Sequence, residues 1–341
     1  MARPRLIFAN LLKSFKVEQV LDLLNTYSEQ KMPFLFIIDF NKTKPIVIPL
    51  DKVNRDEILF DFNGFSNVGS KKESPPINFS FEKKPLSYDE YKIKFDKIQY
   101  HLRKGDTYLA NLTCITKIDT SLSLEDIFIQ SKAPYKLLVK GKFVVFSPEP
   151  FVKIKDGVIS SFPMKGTINA SVTNAEKVIL EDKKELAEHS TMVDLIRNDL
   201  SMVAKNVKLK NFRYISRIKT FNSELLQVSS EISGTVKQEL MTKLGDLFSS
   251  LLPAGSITGA PKRRTVEIIK EVEGYDRGYY TGVFGYFDGK NVESAVMIRF
   301  IEKIDNELYF KSGGGITVDS NPELEYQELI DKIYVPINRD N

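Results

Sequence analysis

The chain has 341 residues, with 49 Lys and Arg against 45 Asp and Glu, a formal charge of +4. Apolar types make up 42 % and charged types 28 %, which excludes wholesale disorder and supports one large domain or two average ones, with a core that needs no covalent staples. The single cysteine, Cys114, excludes an internal disulfide framework and a Cys-rich zinc site.

Along the chain, MARPRLIFANLLKSFKVEQ is broken by Lys13 and Lys16 and does not read as a signal peptide. The longest apolar run, around residues 33–38, falls far short of the ~20 residues of a membrane helix, so a cytoplasmic protein is expected. FLFIIDF and PIVIPL are strand-like, and residues 63–76, rich in Gly, Ser, Asn and Lys, read as a surface loop. Ser87-Tyr-Asp-Glu90 is a capping box whose helix stops at Gly105, and Ser123 to Asp126 opens a shorter helix. Periodicity predicts a long helix over about 174–204. Pro261 suits the first turn of a helix ending at Gly274, and Pro322 that of a last helix to about residue 334. Strands are predicted at 107–117, 135–139, 143–146, 158–162, 207–220, 224–233, 280–287, 292–301 and 307–311. Lys140-Gly141, Asp156-Gly157 and Asp288-Gly289 mark hairpins. This mixture predicts an α+β fold with helices packed outside sheets.

Five constellations bear on chemistry. Glu185 with Glu188, and Glu325 with Glu328, are spaced to share a helix face. Two such faces opposed would cage Mg2+ in oxygen ligands, whereas either alone is ordinary solvated surface. Ser312-Gly-Gly-Gly-Ile316 is either an anion-binding convergence of N–H groups or a tight bend between strand and helix. PAGSITGAPK (253–262) leads into a helix, where it could hold an anion at the helix N-terminus but reads by itself as a capped loop; Ala260-Pro261 stand where a Walker loop needs Gly-Lys. Lys165 in Pro-Met-Lys-Gly-Thr is an exposed turn lysine or, in a restricted electropositive site, a nucleophile. Residues 205–219 interleave basic and aromatic types, as one face of a strand or as a phosphate-tracking surface. His189 beside Glu188 is open to reading as ligand, base or core residue. No H-E-x-x-H, G-x-S-x-G or G-x-G-x-x-G occurs, and Cys114 has no glycine elbow.

The order and wording of AEHSTMVDLIRNDL, LLPAGSITGAPKRRTVEII, the strand with Met297-Ile-Arg299, and SGGGITVDSNPELEYQEL resemble the chorismate-utilising enzymes over residues 88–334. That family includes the component I chains of anthranilate and aminodeoxychorismate synthases and the isochorismate synthases. The resemblance implies one chorismate-binding domain over 1–341: a shortened N-terminal part (1–87) lending strands to the same unit, and a catalytic core (88–335). Two facing, largely antiparallel sheets would hold the site between them. Lys165 stands where anthranilate synthases carry alanine, so the resemblance is closest to the aminodeoxychorismate synthase branch. It implies Mg2+ on Glu188 and Glu328, with Glu185 and Glu325 supporting the metal's waters. Arg299, Thr167, Tyr280, Lys332 and the Gly313, Gly314 and Gly315 backbone would bind the carboxylates of chorismate. Glu149 would be the general acid, and Lys165 a nucleophile whose pKa is depressed by Mg2+ and nearby cations. Ammonia would come from a separate glutamine amidotransferase subunit, and a separate lyase would act downstream toward 4-aminobenzoate and folate. Neither a membrane nor a nucleic acid is an expected partner; anthranilate synthase and, distantly, a non-catalytic anion or nucleic-acid binder are the rivals. Leu109 and Leu226 depart from the residues common at those positions, and Leu11-Leu12-Lys13-Ser14 is the nearest string to a tryptophan-feedback pattern.

Overall fold

A computed structural model describes residues 17–69, 78–219 and 224–337. The feedback-like string at 11–14 and most of the 63–76 loop lie outside them. Among the described residues the strands form two nine-stranded antiparallel sheets. The first runs, in spatial order, Met164–Asn169, Glu224–Val236, Val158–Ser161, Pro150–Lys155, Val292–Val296, Val283–Phe287, Phe34–Ile38 and Ile46–Pro49, with Ala204–Lys219 also paired to Glu224–Val236. The second runs Gly259–Ala260, Leu109–Thr120, Glu307–Ile316, Phe300–Ile304, Phe143–Ser147, Tyr135–Val139, Ile58–Phe62 and Phe65–Ser66, with Phe81–Lys84 on Leu109–Thr120.

The continuous apolar run Phe34–Ile38 explains the layering. Side chains alternate across a strand, and both faces of this one are covered. Phe34, Phe36 and Ile38 join Leu24, Val193 and Phe248 from helices Val17–Glu29, Lys183–Val203 and Leu244–Leu251. Leu35 and Ile37 instead meet Phe60, Leu137, Val145 and Phe300 of the opposite sheet. A third cluster joins Leu112, Val144 and Phe310 to Tyr91 and Ile98 of helix Tyr88–Lys104, Ile268 of helix Lys262–Glu273 and Leu329 of helix Pro322–Asp331. The order is helices, sheet, sheet, helices. Each fully buried aliphatic or aromatic side chain in these layers contributes roughly 1.5–3 kcal/mol.

Two departures from the sequence reading shape the site. The expected 174–204 helix is two, Ala175–Glu181 and Lys183–Val203, because the Asp182 side chain accepts the Glu185 N–H and starts a new helix. The expected 292–301 strand is also two. Val292–Val296 belongs to the first sheet and Phe300–Ile304 to the second, with the chain crossing at 297–299, where Arg299 takes φ of +52°. Helices Val17–Glu29 and Leu244–Leu251 and strands Ile58–Phe62 and Phe81–Lys84 went unread. Leu244–Leu251 has no side-chain cap to announce it.

Candidate active site

The cavity of about 500 Å³ between the sheets is lined by most of the residues singled out from the sequence: Glu149, Lys165, Thr167, Glu185, Glu188, Tyr280, Arg299, Gly313, Gly314, Gly315, Glu328 and Lys332. Several separate chain regions deliver them. Lys165 and Thr167 ride on the end strand Met164–Asn169, and Glu185 and Glu188 on the first turns of the long helix. Arg299 stands at the crossing between sheets, and Glu328 and Lys332 at the end of the last helix, which starts at the Asn321 cap.

The glycine run is not a bend. Gly313, Gly314 and Gly315 continue the strand in regular register with Thr113, Leu112 and Asn111. Pairing with the strand on the other side ends at Lys311, opposite Phe300. The glycines therefore form a floor free of side chains. Over it, a Cβ on Gly314 would lie 3.5 Å from Lys332 Nζ, 3.6 Å from Glu325 Oε2 and 3.8 Å from Glu328 Oε1.

Charge in the cavity is organised in pairs. Lys165 Nζ lies 2.7 Å from Glu188 Oε2, and Lys332 Nζ lies 2.6 Å from Glu328 Oε1 while donating to the Gly313 carbonyl at 2.8 Å. Burial alone would lower the Lys165 pKa, but Glu188, Glu328 and Glu185 together outweigh it and raise it. The expected lowering rests on Mg2+ and cations beside the amine; in the cavity itself its nearest charged neighbours are carboxylates. Lys332 goes the other way, lowered first by burial and then by Arg299 and Lys165 against the pull of Glu328. Burial raises the Glu149 carboxyl, opposed by a Ser256 hydrogen bond, Arg299 and Lys332. Tyr280 is buried and its hydroxyl is pushed upward chiefly by burial. The Arg299 guanidinium lies 5.5 Å from the Tyr334 ring centroid.

The residues fit a divalent cation in donor chemistry. Glu185 Oε2 is buried with no hydrogen-bond partner, and burial raises that carboxyl, the state of a hard oxygen donor lacking a cation. Among the described residues no three acidic, imidazole or thiolate groups converge as a closed metal shell, because lysines hold Glu188 and Glu328. Glu325, read as a supporting ligand, is buried, is not among the residues lining the cavity, and accepts from Ser320 Oγ at 2.9 Å.

The loop 253–262 does more than cap a helix. Ser256, Ile257, Thr258 and Gly259 line the cavity, as do Asn111, Gln227 and Lys311. None of these seven was singled out from the sequence as a site residue. Leu109 lines the cavity, while Leu226 is buried away from it. His189 is a core residue: it is fully buried, its Nε2 lies 2.6 Å from Ser230 Oγ, and burial and Arg213 lower its imidazole to about 4. The basic stretch is strand Ala204–Lys219. Arg213 donates to the Leu180 and Ile179 carbonyls, Arg217 pairs with Glu176 and Glu224, and Lys210 faces Glu231. Those charges are spent within the fold rather than offered to a phosphate backbone.

A two-sheet α+β fold whose central cavity is lined by paired carboxylates and cations over a glycine floor defines an enzyme class acting on a small anion. Within that class the chain belongs to the chorismate binding enzyme family, whose model matches residues 51–338. It is 49 % identical over 321 residues to an uncharacterized PabA-like protein of Haemophilus influenzae, covering 94 % of this chain and 97 % of that one. It is 34 % identical over 263 residues to anthranilate synthase component 1 of Acetivibrio thermocellus, covering 72 % of this chain and 52 % of that one. With aminodeoxychorismate synthase component 1 of Klebsiella aerogenes it shares 33 % over 266 residues, covering 73 % and 57 %. The menaquinone-specific isochorismate synthase of Escherichia coli has the same fold, with a TM-score of 0.73 over 93 % of this chain and 81 % of that one at 16 % identity. Among the described residues no helix is long and apolar enough to cross a membrane.

Proposed function

We propose that the chain is an aminodeoxychorismate synthase of the component I type, converting chorismate and ammonia to 4-amino-4-deoxychorismate. The observation that carries this reading is the placement of Lys165: it lies on the strand Met164–Asn169 and lines the same cavity as Arg299, Lys332 and the glycine floor.

In the proposed reaction, Arg299 and Lys332 hold the substrate carboxylates, Arg299 with a planar fork suited to them. The proton on Lys165 first passes to the Glu188 carboxylate, the nearest base at 2.7 Å. The free amine then attacks C2 of the ring, the ring double bond shifts, and the C4–O bond breaks. Glu149, whose burial favours its neutral form, gives its proton to the departing hydroxyl, which leaves as water. Ammonia next attacks C4, the double bond shifts back, and the Lys165 amine is expelled. Leu109 offers no base to activate water at the floor, which disfavours hydroxyl transfer.

Glu188 and Glu328, backed by Glu185 and Glu325, are the residues proposed to hold Mg2+, which when bound would supply positive charge against the ring carboxylate. A charge argument supports it. Lys165 and Lys332 already face a carboxylate, so of the two charges of an arriving dianion Arg299 answers one, and the metal would answer the other. Ammonia is proposed to come from a glutamine amidotransferase subunit, with a lyase acting on the product.

The test is product analysis by liquid chromatography and mass spectrometry with chorismate, Mg2+ and concentrated ammonium. Aminodeoxychorismate, passing to 4-aminobenzoate only when a lyase is added, is the expected product. Lys165→Ala should cut its formation at least 100-fold, within the range of lost nucleophilic and acid–base catalysis, while chorismate binding stays measurable. Anthranilate as the product, or unchanged turnover in Lys165→Ala, would overturn the reading.

A further inference from the structure

We propose that Asp199 and Lys262, two residues outside the cavity, are positioning residues for the acid of this reaction: their ion pair clamps the 255–262 segment so that the Ser256 hydroxyl is held on the Glu149 carboxyl. The inference rests on the role of Glu149 proposed above.

The clamp is built from both ends of the loop. Asp199 stands near the end of the long helix and is 7 % exposed. Its Oδ1 lies 2.8 Å from Lys262 Nζ, and its carboxylate also accepts the Gly255 N–H. The loop backbone lies against it so closely that a Cβ on Gly255 would fall 2.7 Å from Asp199 Oδ2. Lys262 Nζ also donates to the Leu251 carbonyl at 2.9 Å. One carboxylate thus fixes where the loop leaves helix Leu244–Leu251 and where it joins the next helix. From the opposite side, the buried Arg277 donates from Nη1 to the Ile257 carbonyl at 2.9 Å. Between these anchors sits Ser256, which shares with Glu149 the walls of both the main cavity and a smaller void and lies within reach of that carboxyl.

Glu149, Asp199, Gly255 and Ser256 also share the walls of a void of about 20 Å³, enough for roughly one water molecule. If the clamp is released, Ser256 has room to withdraw and water has room to replace it. The charged groups facing Glu149 are Arg299 at the crossing and Lys332 at the last helix, with Asp199 across the void. Ser256 donates to the carboxylate, so it favours the ionised form; its loss lets burial hold the proton to higher pH. Since the acid works only when protonated, the alkaline limb of activity should then move upward.

The test uses the full chain and two readouts. One is the titration midpoint of Glu149 by carbon NMR of labelled glutamate, assigned by the signal lost in Glu149→Gln. The other is the pH profile of chorismate consumption at fixed free ammonia. Ser256→Ala should raise the midpoint by roughly one pH unit, the worth of a hydrogen bond to a charged group. Asp199→Asn and Lys262→Met should move it the same way, and Lys262→Arg should keep the wild-type value. Because the clamp acts through Ser256, Asp199→Asn should add nothing in the Ser256→Ala background. A midpoint unmoved in Asp199→Asn and Lys262→Met, with only thermal stability lowered, would overturn the proposal. So would additive shifts in the double variant. If Asp199→Asn does not fold, the Lys262 pair of variants decides. The NMR midpoint needs no turnover, so a wild type that makes no aminodeoxychorismate defeats the proposed function while the clamp is still judged.

Discussion

Gly313 and Gly314 are neighbours on one strand, yet a methyl group should affect them in opposite ways. At Gly313 a Cβ would overlap the backbone oxygen of Leu112 and come within 2.6 Å of Thr113 Cγ2. Those atoms belong to the neighbouring strand, which pairs with this one in unbroken register, and cannot yield cheaply. Overpacking of this kind costs roughly 1–3 kcal/mol, and Gly313→Ala should fall at the upper end. At Gly314 the nearest atoms are the side-chain ends of Lys332, Glu325 and Glu328, at 3.5, 3.6 and 3.8 Å, which is ordinary contact. Alanine there also lowers the entropy of the unfolded chain, worth about 0.4–1 kcal/mol in favour of folding. Gly314→Ala should therefore unfold in urea at or slightly above the wild-type midpoint, while Gly313→Ala loses about 2–3 kcal/mol. Function should separate the two again. The Gly314 methyl stands on the cavity floor where a substrate carboxylate would lie, so the KM for chorismate should rise about tenfold, equivalent to about 1.4 kcal/mol, in a protein that is fully folded. Equal destabilisation by both substitutions would show that the floor is not open at Gly314. Normal stability with an unchanged KM would show that it is not a substrate floor.

Two further predictions follow from buried ionisable groups. The carboxyl of Glu149 is raised by burial, so the folded state keeps its proton longer, and stability present at low pH is lost as pH climbs from about 4.3 through the folded value. Glu149→Gln should abolish turnover yet unfold later than wild type in urea at pH 7, with the gain shrinking near pH 4; an equal gain at both would refute the assignment. His189, lowered to about 4 by burial and Arg213, contributes stability that is lost as pH falls below the ordinary imidazole value of about 6.5. From pH 7.5 to 5 that loss is about 2 kcal/mol; it should be missing from the difference between the two pH values in His189→Gln, and an acid response unchanged by that substitution would refute it.

The parts of this fold legible in the sequence were those fixed by neighbours in the chain. Ser87 and Glu90 form the expected capping box, as do Ser123 and Asp126, and Gly105 and Gly274 end their helices in the left-handed conformation. The Glu185–Glu188 and Glu325–Glu328 spacings needed only helical geometry. Illegible were features decided by contacts made far along the chain. Residues 292–301 read as one strand because no Gly, Pro, Asn or Asp punctuates them, yet the two halves pair with different sheets. The glycine run read equally as a bend, and only its register against Thr113, Leu112 and Asn111 makes it a strand.

Lys165 shows the same limit in electrostatics. Its own segment, Pro-Met-Lys-Gly-Thr, carries no acid and reads alone as an exposed turn lysine, and the resemblance adds only Mg2+ and cations beside it. The long helix instead starts at Asp182 and lays Glu185 and Glu188 along Gly166, whose Cβ would fall 3.1 Å from Glu185 Oε2. The last helix contributes Glu328 to the same group of charges. Three carboxylates from two helices thus set the protonation of one strand lysine, and burial, which acts on it most strongly as a single cause, loses to their sum. A lysine's chemistry in a site of this kind follows from which acids the topology brings to it, and that is a property of the two sheets closing on each other rather than of the motif that contains the lysine.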